Sequence, residues 1–464
     1  MLYQSSRGNS PEIGFDSVLL DGLARDGGLY LPKSWPQISS QELQKLKGAK
    51  YTDLASAIIK PYMKGSSVEH LIPNIVSESY KSFNHQAIAP LKQLSSNIWL
   101  MELFHGPTLA FKDYALQLVG QLFENVLSAN NQHITIVGAT SGDTGSAAIE
   151  ACAGRKSMDI IILHPKGRVS EVQRRQMTTV MAENVHNIAV DGTFDDCQAL
   201  VKAMFNNEPF RNELNLSAVN SINWVRIMGQ IIYFAHAALS LGSRDQPITC
   251  SVPTGNFGNV FAGYCASMMG FPIHHFIVGS NKNDILTQYL ETSIMKNRGV
   301  IETLSPAMDI QVSSNFERLL FEAYSKNGTT VQKLMKAFSD TGSFSVDKNA
   351  HAYIKALFSG VSLDDSGIKN VIKSTFHNTG MIIDPHTAIG IHAAGLLNKS
   401  QAETHVVMAT AHPSKFPDAV ESSIGKRPEL PRSLKGLFSK KEIYTEMPND
   451  LSKIKTLVKS VSRI

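Results

Sequence analysis

The sequence predicts an α/β protein built on open, mainly parallel sheets, and three observations carry that expectation. From about residue 95 onward, β-rich apolar runs alternate with helical patterns. The runs are continuous rather than alternating, as in "ITIVG" and "DIIIL", which is the pattern of parallel strands covered on both faces. The runs lead into polar or glycine-rich loops such as "SGDTG", "PKGR", "PTGNFGN" and "SNKND". Sheets of this kind bind ligands at the carboxyl ends of their strands, where these loops fall.

Each element follows in order. Residues 1–92 form an N-terminal domain, in which "ARDGGLYLPKSWP" reads as strand, turn and Pro-terminated edge, and 40–62 and 67–83 as mostly helix. Residues 93–235 form an α/β domain: "NIWLMELF" is a short strand and "KDYALQLVGQLFENVLS" a helix with one face to a core. "HITIVGAT", "MDIIILHP" and "NVHNIAVD" are strands followed by helices. Residues 236–464 form a second α/β domain through "PITCSVP", "IHHFIVGS" and "THVVMAT", interrupted by a helical insertion at about 290–375. The tail helix "LSKIKTLVKSV" takes Asn449 or Asp450 as its cap.

Bulk numbers exclude several classes. A net charge of +4 over 464 residues, without a basic block, argues against a nucleic-acid role. Cys152, Cys197, Cys250 and Cys265 form no CxxC pair and lie in no His cluster, so no metal is expected and the thiols read as reduced and buried. No apolar run reaches membrane-spanning length and the first residues lack a secretory pattern, so the expected compartment is the cytoplasm.

Lys112 poses the first chemical question. It lies behind the turn "GPT", beside Phe111, at the start of an apolar helix. The positive end of the helix dipole and burial both disfavour an ammonium there. An amine pushed toward neutrality is a nucleophile. The competing reading is a lysine that snorkels to solvent.

Three loops bear on that choice. In "PTGNFGN", residues 253–259, Gly255 and Gly258 let backbone N–H groups converge at a helix start, an anion site suited to phosphate, or else a tight turn that needs glycine. "ATSGDTGSAA" offers the hydroxyls of Ser141, Thr144 and Ser146 and backbone donors to a carboxylate. Asp143 reads there as a helix cap. "TAHPSKF" places Thr410 at a strand end, where its hydroxyl can face a ring nitrogen, or else it is an ordinary strand-end threonine. His386 in "DPHTAIG" reads as a surface or capped histidine before it reads as a catalyst. An amine, a phosphate cup, a carboxylate loop and a ring-nitrogen hydroxyl are together what pyridoxal phosphate requires, with the amine held to its aldehyde as a Schiff base.

These motifs resemble those of the threonine synthase family, within the fold type II pyridoxal-phosphate enzymes that share the tryptophan synthase β-subunit fold. "HGPTLAFKD" is similar to the family's cofactor-lysine motif, "SGDTG" to its substrate-carboxylate loop, "GNFGN" to its phosphate cup and "ATAHPSKF" to its ring-nitrogen segment. "DGGLYLP" and "DPHTAIG" also match. The resemblance runs from about Tyr3 to about Ser422 and is greatest to the longer, yeast- and enterobacteria-type branch. The last forty residues match less clearly. It implies two open twisted sheet domains and pyridoxal 5'-phosphate held by Lys112, Gly255, Asn256, Phe257, Gly258, Asn259 and Thr410. It also implies O-phospho-L-homoserine and water as reactants, with L-threonine and phosphate as products. Asn259 departs from relatives that carry Asp there, which a backbone-built cup tolerates.

Substrate contacts are expected at Ser141, Gly142, Asp143 and Thr144. For the substrate's own phosphate the candidates are Lys166 and Arg168, Asn281 and Asp284, and His386; Lys166 and Arg168 read equally as a solvated charge pair. The expected partner is a small molecule, neither nucleic acid nor membrane, with the chain a monomer or homodimer. Rivals are a dehydratase or phospholyase on the same scaffold and a non-catalytic phosphate-binding protein. An NAD enzyme fails on glycine spacing.

Overall fold

The computed structural model describes residues 1–464 apart from Val219, Asn220, Lys399 and Gln401. Two sheets organise it. A six-stranded sheet runs in the order Phe358–Ser362, Ile273–Ser280, Ile248–Pro253, His405–Ala409, Ile98–Glu102, Leu91–Gln93. All its pairs are parallel except the last. A five-stranded, fully parallel sheet runs Thr445–Pro448, Val185–Asp191, Met158–Pro165, Ile134–Ala139, Leu216–Ser217. Every residue of Met158–Pro165 is buried, as a strand covered on both faces must be.

The sheets are not contiguous in sequence: their strands come from both sides of residues 92/93 and 235/236. Ile98–Glu102 pairs with His405–Ala409, so it belongs with the glycine-rich loop's sheet. Thr445–Pro448 pairs with Val185–Asp191, and the tail helix Leu451–Val461 packs Ile454 and Val458 against Val137, Ile161 and Val190 of the other sheet. Parallel pairing requires a long crossover, so an isolated apolar run carries no local mark of which sheet it joins.

The lysine helix, Lys112–Ala129, is buried on nearly every side over its first turns rather than on one face. A second long helix, Trp224–Leu241, is buried along most of its length and was not marked by the sequence reading. The two meet where Gly229 faces Ala115: a Cβ on Gly229 would lie 3.0 Å from the Ala115 Cα. Arg226, one turn before Gly229 on this helix, lies close enough to Lys112 for its charge to act on it. The insertion is helical as expected (Phe316–Ala323, Gly328–Thr341, Lys348–Leu357), but it returns the edge strand Phe358–Ser362 to the six-stranded sheet. The N-terminal domain is tied to it by Arg7 on Glu317 at 3.0 Å and by Arg318 Nε donating to the Tyr30 carbonyl. The four cysteines are free and buried. Among the described residues no helix is long and apolar enough to cross a membrane.

Candidate active site

Lys112 opens its helix from a braced turn. Phe111 N donates to the Thr410 carbonyl at 2.9 Å and His412 N to the Leu109 carbonyl at 3.0 Å, so the strand-end segment clamps the lysine turn. Leu109 sits in the left-handed region at φ 62°, a conformation that is held only where surroundings enforce it. Lys112 does not snorkel: it is 9% exposed, with Nζ 3.3 Å from Asp143 Oδ2 and 4.9 Å from the Phe111 ring centroid. Burial pulls its ammonium below the ordinary lysine range; Asp143 pushes back, and the charges of Lys415 and Arg226 add to the depression.

Asp143 is the first residue of the helix Asp143–Cys152, but it does not cap it. Its carboxylate takes Lys415 Nζ at 2.9 Å and Gln173 Nε2 at 2.8 Å on Oδ1, and Lys112 on Oδ2. Burial alone would raise its pKa, yet the Lys415 and Lys112 ammoniums hold it well below the carboxylate range. Thr140 does the local bracing instead, its hydroxyl accepting from Gly142 N and Gly145 N. Ser146, expected to be free, donates to the Gly142 and Asp143 carbonyls. The hydroxyls of Ser141 and Thr144 carry no hydrogen bond among the described residues and are not buried.

The cup follows the strand Ile248–Pro253 and opens the helix Gly258–Met268. Phe257 takes φ 61° at the helix start and buries its ring edge-on to Phe316. Asn256 is fixed by Ser221 and by Ser314 N, which donates to its Oδ1 at 2.8 Å; Ser313 Oγ donates to the Gly255 carbonyl. A Cβ on Gly255 would meet Ile310, Ala307 and Met308 at 3.0–3.1 Å, so the covering segment requires glycine there. The backbone N–H groups of residues 255–259 find no acceptor among the described residues. Asn259 accepts from the Tyr233 hydroxyl at 2.5 Å, while its Nδ2 is buried and unpartnered.

Arg226 was missed by the sequence reading. It is 3% exposed, and its Nε and Nη1 have no partner among the described residues. Burial brings it down only to about 10, so the guanidinium is charged at neutral pH. A buried cation with two idle donors is chemically matched to an anion. The available signal was an arginine and a glutamine four residues apart in the otherwise apolar run "WVRIMGQIIYF".

The remaining predicted residues divide. Thr410 is buried, with its hydroxyl carrying no bond among the described residues. His386 is buried rather than at the surface: Nδ1 lies 2.7 Å from Asp384 Oδ2 and Nε2 is unpartnered. Asn281 is consumed by structure, its Nδ2 donating to Thr303, Ser305 and Asp309. Asp284 accepts from Gln288 one turn on. Lys166 and Arg168 are exposed, and Lys166 pairs with Glu446 at 2.7 Å and Asp191 at 3.6 Å. The charge pair is the arrangement seen for Lys166: Glu446 comes on the edge strand Thr445–Pro448 from late in the chain, and Asp191 ends the strand beside it.

The residues fit pyridoxal phosphate on the structure's own terms: a buried amine, idle backbone donors at a helix start, two orphaned side-chain donors and a free strand-end hydroxyl. Comparison with known proteins agrees. Residues 2–80 match the family described as threonine synthase N terminus, 84–357 that described as pyridoxal-phosphate dependent enzyme, and 387–458 that described as threonine synthase, C-terminal. A threonine synthase of Pseudomonas aeruginosa is 48% identical over 459 residues, covering 99% of this chain and 98% of its own. A pyridoxal-phosphate-bound threonine synthase structure from Brucella melitensis superposes with a TM-score of 0.98 at 47% identity, covering all of both chains. The yeast threonine synthase structure gives 0.94 at 35% identity, covering 99% of this chain and 98% of its own.

Proposed function

The chain belongs to the threonine synthase family, and from that premise we propose that it converts O-phospho-L-homoserine and water to L-threonine and phosphate, with pyridoxal 5'-phosphate carried on Lys112. This makes it a lyase of amino-acid biosynthesis, acting at the step that yields threonine. The observation that carries the residue assignment is Lys112 itself: a buried amine with a single charged contact, depressed toward neutrality, faced by the idle guanidinium of Arg226.

When bound, pyridoxal phosphate supplies the electron sink for negative charge at the substrate's α-carbon. The chain supplies the rest. The N–H groups of Gly255–Asn259 and the Asn259 amide hold a phosphate by neutral donors. Arg226 adds the one full charge, for that phosphate or the substrate's own. His386, with Nε2 free and Nδ1 fixed by Asp384, is the other group left for the substrate phosphate. Ser141 and Thr144 offer the substrate carboxylate free hydroxyls and N–H groups, with Gly142, its own N–H held by Thr140, shaping the loop between them. Asp143 acts on Lys112 rather than on substrate, because its oxygens are already taken and a second carboxylate would be repelled. Neutral Lys112 is the base that takes a substrate proton at Nζ, a role that requires its lowered pKa. Thr410 gives the ring nitrogen a neutral partner and withholds the full proton a carboxylate would supply. We place the enzyme in the cytoplasm, as a monomer or homodimer.

The test is an assay of wild type and Lys112→Ala with O-phospho-L-homoserine, scoring phosphate, threonine and 2-oxobutyrate separately. Equimolar threonine and phosphate are expected, falling at least about 10³-fold in the variant. Phosphate with 2-oxobutyrate instead would make the protein a phospholyase, and no phosphate would remove the substrate assignment.

A further inference from the structure

Two buried lysines share one carboxylate, and they share it unequally. Lys415 lies in the short turn Pro413–Lys415, just beyond the strand-end Thr410, and is fully buried. Its Nζ makes two short contacts, 2.9 Å to Asp143 Oδ1 and 2.7 Å to the Thr108 carbonyl, which also takes Gln176 Nε2 at 3.1 Å. Lys112 makes one longer contact, 3.3 Å, to the other oxygen. Lys415 is thus locked into the surroundings, while Lys112 is the partner Asp143 can lose.

We propose that Lys415 is a positioning residue: it is the permanent counter-ion of Asp143, which lets Lys112 give up its proton, or leave, without stranding a buried carboxylate. This rests on Lys112 being the reactive amine. If Lys112 were the sole partner of Asp143, the two would form a one-to-one ion pair, and attraction in a poorly solvated site would keep Lys112 an ammonium. With Lys415 present, the pair Lys415–Asp143 is already neutral, and the extra proton on Lys112 is surplus charge. The other charged groups act the same way or weakly. Arg226 also repels the Lys112 proton. Asp113, near Lys415, is pushed up to about 6 by burial despite its bonds from Thr108, and His412 is brought down to about 4 by burial. Asp113 is thus ionised at neutral pH as well, but its oxygens are held by Thr108; Asp143 is the carboxylate in contact with Lys112 and so the one whose balance with Lys415 decides its state.

The experiment follows the acetylation rate of Lys112 by acetic anhydride in the full-length chain stripped of cofactor, read by peptide mass spectrometry from about pH 6 to about pH 10. In Lys415→Met the midpoint should rise by at least about one pH unit, a tenfold slower reaction at fixed pH below it. Lys415→Arg, which keeps the charge, should stay within about half a unit of wild type. Lys415→Met with Asp143→Asn should return to or below the wild-type midpoint, a rescue that a merely structural lysine would not show. An unmoved midpoint in a folded Lys415→Met overturns the proposal. If that variant does not fold, the doubly neutral variant decides, and a midpoint above wild type overturns it. A wild-type Lys112 with the midpoint of a solvated lysine overturns the reading of Lys112 itself, a separate failure.

Discussion

The cup at residues 254–259 and the loop at 141–145 both open a helix onto the surroundings of Lys112, yet they use opposite materials. The cup presents backbone N–H groups and one amide, with no formal charge of its own. The Asp143 loop carries a carboxylate between two ammoniums. Backbone donors are fixed and need no counter-charge, so they bind an anion without changing the state of their neighbours. Buried charges are costly and coupled, so each one sets the protonation of the next. The first region is suited to holding, the second to reactivity.

The comparison breaks first at Asp143. Asp143→Asn strands two buried ammoniums and should cost about 3–5 kcal/mol of stability in urea or thermal unfolding. A loss below about 1 kcal/mol would mean the lysines are not charged together. Arg226→Met sharpens the other side. It should weaken binding of phosphate or pyridoxal phosphate by roughly tenfold to a hundredfold, read by calorimetry. It should also raise the melting temperature of the cofactor-free chain, because it deletes an unpaired buried cation. A lower melting temperature would show that Arg226 has a structural partner after all.

Away from the site, charge is worth less. Glu442 clasps Arg174 and Thr178, and those partners hold its carboxyl at about 2 against an ordinary 4.5. A depressed carboxyl gives stability that is fully present above about 4.5 and lost as pH falls through about 2. Glu442→Gln should therefore lose about 1–2 kcal/mol at neutral pH and flatten the acid limb of the melting curve between those values. Lys166→Ala should be smallest, with no measurable change in melting temperature and with kcat and KM for O-phospho-L-homoserine unchanged. A raised KM would restore Lys166 to the substrate site.

The part of this site that sequence makes legible is the part built locally. Lys112 beside Phe111 at a helix start and the glycines of 255–258 are written within a few residues of each other. Asp143 was read as a cap because its partner, Lys415, lies on a different sheet's strand end and nothing local points to it. Whether Lys166 and Arg168 form an anion site or a solvated charge pair stays open in the sequence for the complementary reason: they stand at a strand end, and Glu446, the partner of Lys166, arrives 280 residues later. Phe358–Ser362 escaped notice because "FSGVS" is short and glycine-interrupted, and acquires strand form only against Ile273–Ser280. Two sheets flanked by helices were legible throughout; which strand joins which sheet was not.

That shuttling of the chain has a consequence for biogenesis. On a translating ribosome the strand Ile98–Glu102 is made early and waits some three hundred residues for His405–Ala409, its parallel neighbour. The five-stranded sheet is completed later in synthesis, since Val185–Asp191 stays an open edge, and the apolar surface under Ile454 and Val458 stays bare, until residues 445–461 emerge. An unpaired parallel edge beside exposed apolar surface is the form of nascent chain that associates with its own copies. Emergence of residues 445–461 is thus the event that seals the fold, and a chain stalled before residue 445 should be a client of chaperones rather than a partly active enzyme.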